Sequence, residues 1–116
     1  MSEAVLGHIH IANDVLADLA GFAALESYGI VGMAAPNLRN GVAQLLSRDK
    51  LRKGVVIRSE DDGVHVDLYV VIEHGTNLTE VSRNLSERVG YTLRANADVD
   101  PATIDVHVQG INVRKQ

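Results

Sequence analysis

The sequence predicts an α+β fold: a single domain over residues 1–116, built as a mixed sheet with helices packed on one side. Three observations carry this expectation. Val64, Val66, Leu68, Val70 and Ile72 alternate with His65, Asp67, Tyr69, Val71 and Glu73, the period-two pattern of a strand with one buried face. Two other segments, residues 14–27 and 78–95, repeat their apolar side chains at helical spacing instead. Hydrophobic residues make up 46% of the 116, enough for one modest core and too many for a disordered chain.

The elements follow in order. In residues 7–12, Ile9 and Ile11 alternate with small or polar residues, which reads as a short half-buried strand. Asn13 has the chemistry of an N-cap, its side-chain oxygen accepting from an unpaired backbone N–H. The helix that follows carries its apolar stripe on Val15, Leu16, Leu19, Ala20 and Ala23. Gly21 inside it costs about 1 kcal/mol relative to Ala, which points to a close approach by another element. Gly29, free to adopt positive φ, ends the helix. Residues 30–35 form a second apolar strand in which Gly32 suits a bulge or a near backbone, and Pro36 and Asn37 break it. Leu38, Val42, Leu45 and Leu46 then outline a second helix, with Arg39, Gln44, Arg48 and Lys50 on its other faces and Gly54 closing the connection.

A hairpin comes next, entered by residues 55–58 and turned by Asp61-Asp62-Gly63, whose types tolerate left-handed backbone. Asn77 and Glu80 have capping-box spacing and open a third helix, striped by Leu78, Val81, Leu85, Val89 and Leu93. Asp100-Pro101 breaks the chain before Ile104, Val106 and Val108 begin a last strand running towards Val113. The expected order is β-α-β-α-β-β-α-β, most economically one sheet with one helical layer.

Charge and composition narrow the function. A net charge of −4 disfavours a phosphate-backbone binder, which needs a basic excess. One Phe, three Tyr and no Trp leave few rings on which bases could stack. The absence of cysteine removes disulfides and thiolate metal sites and agrees with a cytoplasmic location. The opening MSEAVLGHIH lacks the basic and apolar regions of a signal peptide, and no apolar run approaches the roughly 18–20 residues that cross a bilayer.

Candidate chemistry is sparse. If the strands at residues 7–12, 64–73 and 104–113 are neighbours in register, His8, His10, His65 and His107 meet on one sheet face beside Asp67 and Asp105. Imidazole and carboxylate suit zinc and related ions; the plainer reading leaves each as a polar residue on a solvated face. Gly29-Ile30-Val31-Gly32 matches the bare G-x-x-G of a KH-type RNA clamp, but its centre is apolar and it lies between a helix end and a strand. Arg48, Lys50, Arg52 and Lys53 form a basic patch suited to anionic lipid or an acidic partner, or simply complement a helix C-terminus. No phosphate loop or nucleophile elbow occurs. Glu73 and His74 are adjacent on a strand and so face opposite ways. The chain is expected not to be an enzyme and to need no cofactor.

Two runs are more distinctive than any of these: YGIVGMA over residues 28–34 and VDLYVVIEHGTN over 66–77. With GHIHIAND at 7–14, AALES at 23–27, RKGV at 52–55 and VQGINV at 108–113, they resemble the alkaline shock protein family, in particular its short YloU-like branch. The resemblance implies a cytoplasmic, non-enzymatic, stress-associated protein of Gram-positive-type bacteria in cell-envelope homeostasis, acting as an interaction or scaffold protein. It implies protein partners, among them a membrane-anchor protein that gathers relatives at the membrane and a dihydroxyacetone-kinase-like protein of fatty-acid phosphorylation. The long charged tails of larger members are missing here. Tyr28, Ile30, Met33, Tyr69, Thr76, Asn77, Gln109, Gly110 and Ile111 lie in the most family-like segments and are the expected interaction surface, although the apolar ones would equally serve a core. Free strand edges at 7–12 or 104–113 would favour homo-oligomers. The alternative is a small-ligand, metal or nucleic-acid binding module on the histidine-bearing sheet face.

Overall fold

β3 (Gly63–Glu73) is the axis of the molecule, and every other strand described is hydrogen-bonded to it. The computed structural model describes residues 11–37 and 43–112. Before β3 come α1 (Asn13–Leu25), β1 (Ile30–Met33), a 3-10 segment (Arg48–Gly54) and β2 (Val55–Glu60). After it come α2 (Leu78–Ala97) and β4 (Thr103–Asn112). The mixed sheet and the one-sided helical layer expected from the sequence are both present.

β1 and β2 lie end to end on one side of β3, both antiparallel to it: Met33 faces Val70 and Val55 faces Leu68. The chain thus leaves the strand line after Ala34 and rejoins it at Val55. The two ends of this excursion touch, since a Cβ on Gly54 would stand 2.8 Å from the Ala34 carbonyl oxygen. On its other side β3 pairs in parallel with β4, His65 opposite Thr103 and Glu73 opposite Asn112, with a register shift between Val70 and Val71. Parallel neighbours need a crossover, and α2 supplies it. Its 20 residues return the chain by about 30 Å, close to the span of an 11-residue strand at about 3.3 Å per residue.

The core lies between sheet and helices. Leu16, Ala20, Ala23 and Ala24 of α1 and Val81, Leu85, Val89 and Leu93 of α2 meet Val66, Leu68, Val70 and Ile72 of β3, with Met33 and Leu51 filling the margin. Small residues on α1 bring it close: a Cβ on Gly21 would approach Leu51 Cβ to 3.1 Å, the near contact that this glycine anticipated. Gly29 adopts φ +83°, as expected of a residue ending the turn after α1, and Val81 of α2 packs against it.

Two expectations are revised, and a third lies largely outside the described residues. The strand at 7–12 falls largely outside the described residues, and Ile11 and Ala12 are irregular. Asn13 is the first residue of α1 rather than its cap; Ala12 occupies that place and makes no side-chain cap bond. No second helix includes Leu45 and Leu46. That segment is extended, Leu45 bridging to Ala34 and Leu46 N–H donating to the Met33 carbonyl, because backbone pairing with the end of β1 overrides the helical spacing of its leucines. Leu38 and Val42 lie outside the described residues. The charged run after it is 3-10 with a kink at Lys50.

Candidate functional site

The face of the sheet turned away from the helices divides in two. At one end, Gly32 of β1, Val71 of β3 and Gly110 of β4 stand in one row across three strands. Leu45 and Ala43 sit on the two glycines: a Cβ on Gly32 would meet Leu45 Cδ2 at 3.0 Å, and one on Gly110 would meet Ala43 Cβ at 3.2 Å. Val71 between them is 6% exposed. Gln109 Nε2 fixes the same cover by donating to the carbonyls of Ala35 (3.2 Å) and Pro36 (2.7 Å). This end of the face is closed.

The other end carries a polar network. Asp67 accepts from Arg58 Nε (3.1 Å) on Oδ2 and pairs through Oδ1 with His107 Nε2 (3.1 Å). The His107 ring stacks on Tyr69, centroids 4.5 Å apart and 11° from coplanar. Arg58 also holds Glu60 Oε2 at 2.7 Å. Partial burial of Asp67 opposes ionisation, but the hydrogen bonds from His107 and Arg58 outweigh it and hold its carboxyl below the usual range. At the hairpin, the buried His65 places Nε2 2.7 Å from Asp62 Oδ1 and 3.5 Å from Glu60 Oε1, while Nδ1 lies 2.7 Å from Thr103 Oγ1. The hydrogen bond to His65 holds the Asp62 carboxyl low.

The four-histidine cluster does not assemble. His65 and His107 share the face, but His107 lies opposite Tyr69, four residues along β3 from His65. At about 3.3 Å per residue that is roughly 13 Å, too far for one ion. His8 and His10 lie outside the described residues. Each described histidine on this face has its own carboxylate instead.

The nine expected surface residues do not form one surface either. Met33 is fully buried and belongs to the core, and Ile30 packs against that core. Thr76 donates to the Glu73 carbonyl, and Asn77 caps α2 by accepting from Glu80 N–H at 3.0 Å. Gln109 and Gly110 hold the cover just described. Tyr69 is stacked under His107, while Ile111 is 51% exposed on β4. Tyr28 is exposed on the helical side, where with Asn84, Arg88 and Tyr91 it lines a cleft of about 550 Å³, far from the sheet network.

The basic patch is largely engaged. Arg52 forms a two-pronged pair with Asp18 (3.1 and 2.8 Å) and reaches Asp14 at 3.0 Å; the hydrogen bond with Asp18 holds its pKa above the usual value. Arg48 lies 5.8 Å from the centre of the Phe22 ring. Only Lys50 and Lys53 of the four remain outside these contacts. Arg58, Glu60, Asp62 and Thr103 entered no candidate set from sequence. A two-residue turn at Asp61-Asp62 sets Arg58 opposite His65 and Val56 opposite Asp67, so the hairpin register carried that signal.

Relatives agree with this chain over most of its length. YloU of Bacillus subtilis (strain 168), an uncharacterized protein, is 36% identical over 108 residues, 92% of this chain and 90% of its own. Uncharacterized Spy1614 of Streptococcus pyogenes serotype M6 is 37% identical over 108 residues, 92% of this chain and 89% of its own. Uncharacterized YqhY of Bacillus subtilis is 31% identical, covering 91% and 78%. Residues 1–113 match the alkaline shock protein 23 family, described as having a cell envelope-related function. With that match and those relatives, this chain belongs to the alkaline shock protein 23 family.

Proposed function

We propose that this chain is a cytoplasmic, non-enzymatic interaction or scaffold protein in cell-envelope stress homeostasis. The observation that carries the reading is the outer edge of β4. β4 pairs with β3 along one side, and its other side has no partner strand among the described residues. Its ten residues, TIDVHVQGIN, include neither Pro nor Lys, the residues that commonly protect an edge. Val108 and Ile111 on it are 39% and 51% exposed. Such an edge offers backbone N–H and C=O groups to an incoming strand, with side chains adding specificity. The polar groups of the adjacent face bond to one another on an open surface, an arrangement suited to contact rather than to water-excluded chemistry.

The family's cell envelope-related function supplies the setting. No described helix is long and apolar enough to cross a membrane, so membrane association is assigned to a partner. The proposed partners are a membrane-anchor protein or a dihydroxyacetone-kinase-like protein of fatty-acid phosphorylation, with a second copy of the chain as the self-assembled form. The test is affinity capture from the native bacterium under mild crosslinking, comparing the wild type with a Val108→Lys, Ile111→Lys double variant. Recovery of one of these proteins by the wild type and its loss in the variant supports the reading. Equal recovery by both places the contact away from β4, and a lone monomeric chain in both contradicts the proposal.

A further inference from the structure

We propose that Glu60, Asp62 and His65 form a binding site for a divalent transition-metal ion of the zinc class, with Thr103 as the residue that orients His65. One ligand atom from each of the three lies within 4.8 Å of the other two. This is a different constellation from the four histidines expected from sequence, and it is independent of the adaptor reading. Its residues come from the end of β2, the turn and the start of β3, with Thr103 reaching across from β4.

The imidazole is positioned before any ion arrives. His65 is 8% exposed, and its Nδ1 lies 2.7 Å from Thr103 Oγ1. Without an ion, Nε2–H donates to Asp62 Oδ1 and Nδ1 accepts from the Thr103 hydroxyl. An ion at Nε2 shifts that proton to Nδ1, which then donates to Thr103 Oγ1 while the Nε2 lone pair binds the ion. Ligating histidines use this arrangement, the outer nitrogen bonded to a partner that fixes tautomer and ring orientation. Glu60 is positioned as well: Arg58 Nη1 holds its Oε2 at 2.7 Å, leaving Oε1 turned to His65. Four ligands at about 2.0–2.2 Å from a tetrahedral ion stand about 3.4 Å apart. The Nε2 to Glu60 Oε1 separation of 3.5 Å already fits. The 2.7 Å separation from Asp62 Oδ1 must open slightly, which an exposed turn residue allows.

The donor set selects the ion. One imidazole and two carboxylates suit zinc, manganese or cobalt, where an oxygen-only cage would suit magnesium or calcium. Three protein ligands leave further positions to water, since both carboxylates are exposed at the hairpin tip. The site ties the turn to β4 through His65 and Thr103, so an ion there would fasten β2, β3 and β4 together at the open end of the sheet.

The test is calorimetric titration of the metal-free full chain with Zn²⁺ at neutral pH, repeated with Co²⁺ while following its visible ligand-field spectrum. The expected result is one equivalent bound by the wild type, at least tenfold weaker in Asp62→Asn and in Glu60→Gln, and about tenfold weaker in Thr103→Val. His65→Ala would risk the fold, so the exposed carboxylates carry the comparison. Thermal unfolding monitors each variant, and added zinc should raise the wild-type midpoint and not that of Asp62→Asn. A flat titration overturns the proposal. Binding that is unchanged in both carboxylate variants overturns it too, since the ion would then be held elsewhere.

Discussion

Gly32 and Gly110 flank Val71 in one row across β1, β3 and β4, and together they form the seat for Ala43 and Leu45. The pair decides which part of the sheet face is covered and which stays open. The covered half ends at this row; the histidine and carboxylate network begins beside it. The two glycines respond differently to a side chain. At Gly32 the neighbour is the mobile tip of Leu45, so Gly32→Ala should cost well under 1 kcal/mol. Gly110→Val drives into Ala43 and should cost about 1–3 kcal/mol. Amide exchange at Leu46, whose N–H donates to the Met33 carbonyl, should quicken in the second variant and not in the first.

Gly29 gives a sharper case. Its φ is +83°, and a Cβ at this position would stand 2.5 Å from Val81 Cγ2, so backbone and neighbour both oppose any side chain. Gly29→Ala should therefore destabilise by about 1–3 kcal/mol. Chemical denaturation of Gly29→Ala in a Val81→Ala background separates the two causes: relief of the clash recovers part of the loss, and the remainder measures the left-handed backbone.

Asp67 sets a pH dependence. Its folded-state pKa lies below the ordinary carboxylate value because the bonds from His107 and Arg58 outweigh burial. The stability it contributes is therefore present above the unfolded value of about 3.9 and is lost as pH falls through the lower folded value. Asp67→Asn should be less stable than the wild type by about 1–2 kcal/mol at pH 7, with the exposed partners limiting the effect. Urea midpoints of the two proteins should converge as pH drops below about 3.9.

At the helices, Asn77→Ala removes the bond to Glu80 N–H and should cost about 1 kcal/mol. Arg52→Ala breaks contacts with Asp14 and Asp18, yet all three side chains are well exposed and screened by solvent, so the loss should be smaller than that of Asn77→Ala. Parallel urea titrations rank the two.

The sequence made the fold legible where one local signal dominated. The alternation along β3 and the cap and stripe of α2 are visible residue by residue, and both elements form where expected. Leu45 and Leu46 misled because helical spacing is only a local signal, while their backbone bonds go to Met33 and Ala34, over ten residues away. The site was legible in part for the same reason. His65, Asp67, Tyr69 and His107 could be placed on one face, but which histidine meets which carboxylate depends on the parallel register of β3 with β4. That register, unbroken from His65 opposite Thr103 to Tyr69 opposite His107, is set across the α2 crossover, which local spacing does not reveal. The family resemblance selected segments containing Gly29, Gly32 and Gly110, and these prove to be packing positions as much as surface ones.

The most direct test of the interaction reading is a photo-crosslinking amino acid placed at Ile111 on β4 and, in a second strain, at Glu87 on the outer side of α2, both expressed in the native bacterium. The expected result is a discrete protein adduct at Ile111, to a membrane-anchor protein, a kinase-like protein or a second copy of the chain, and none at Glu87. Absence of any adduct at Ile111, with or without one at Glu87, would contradict the account.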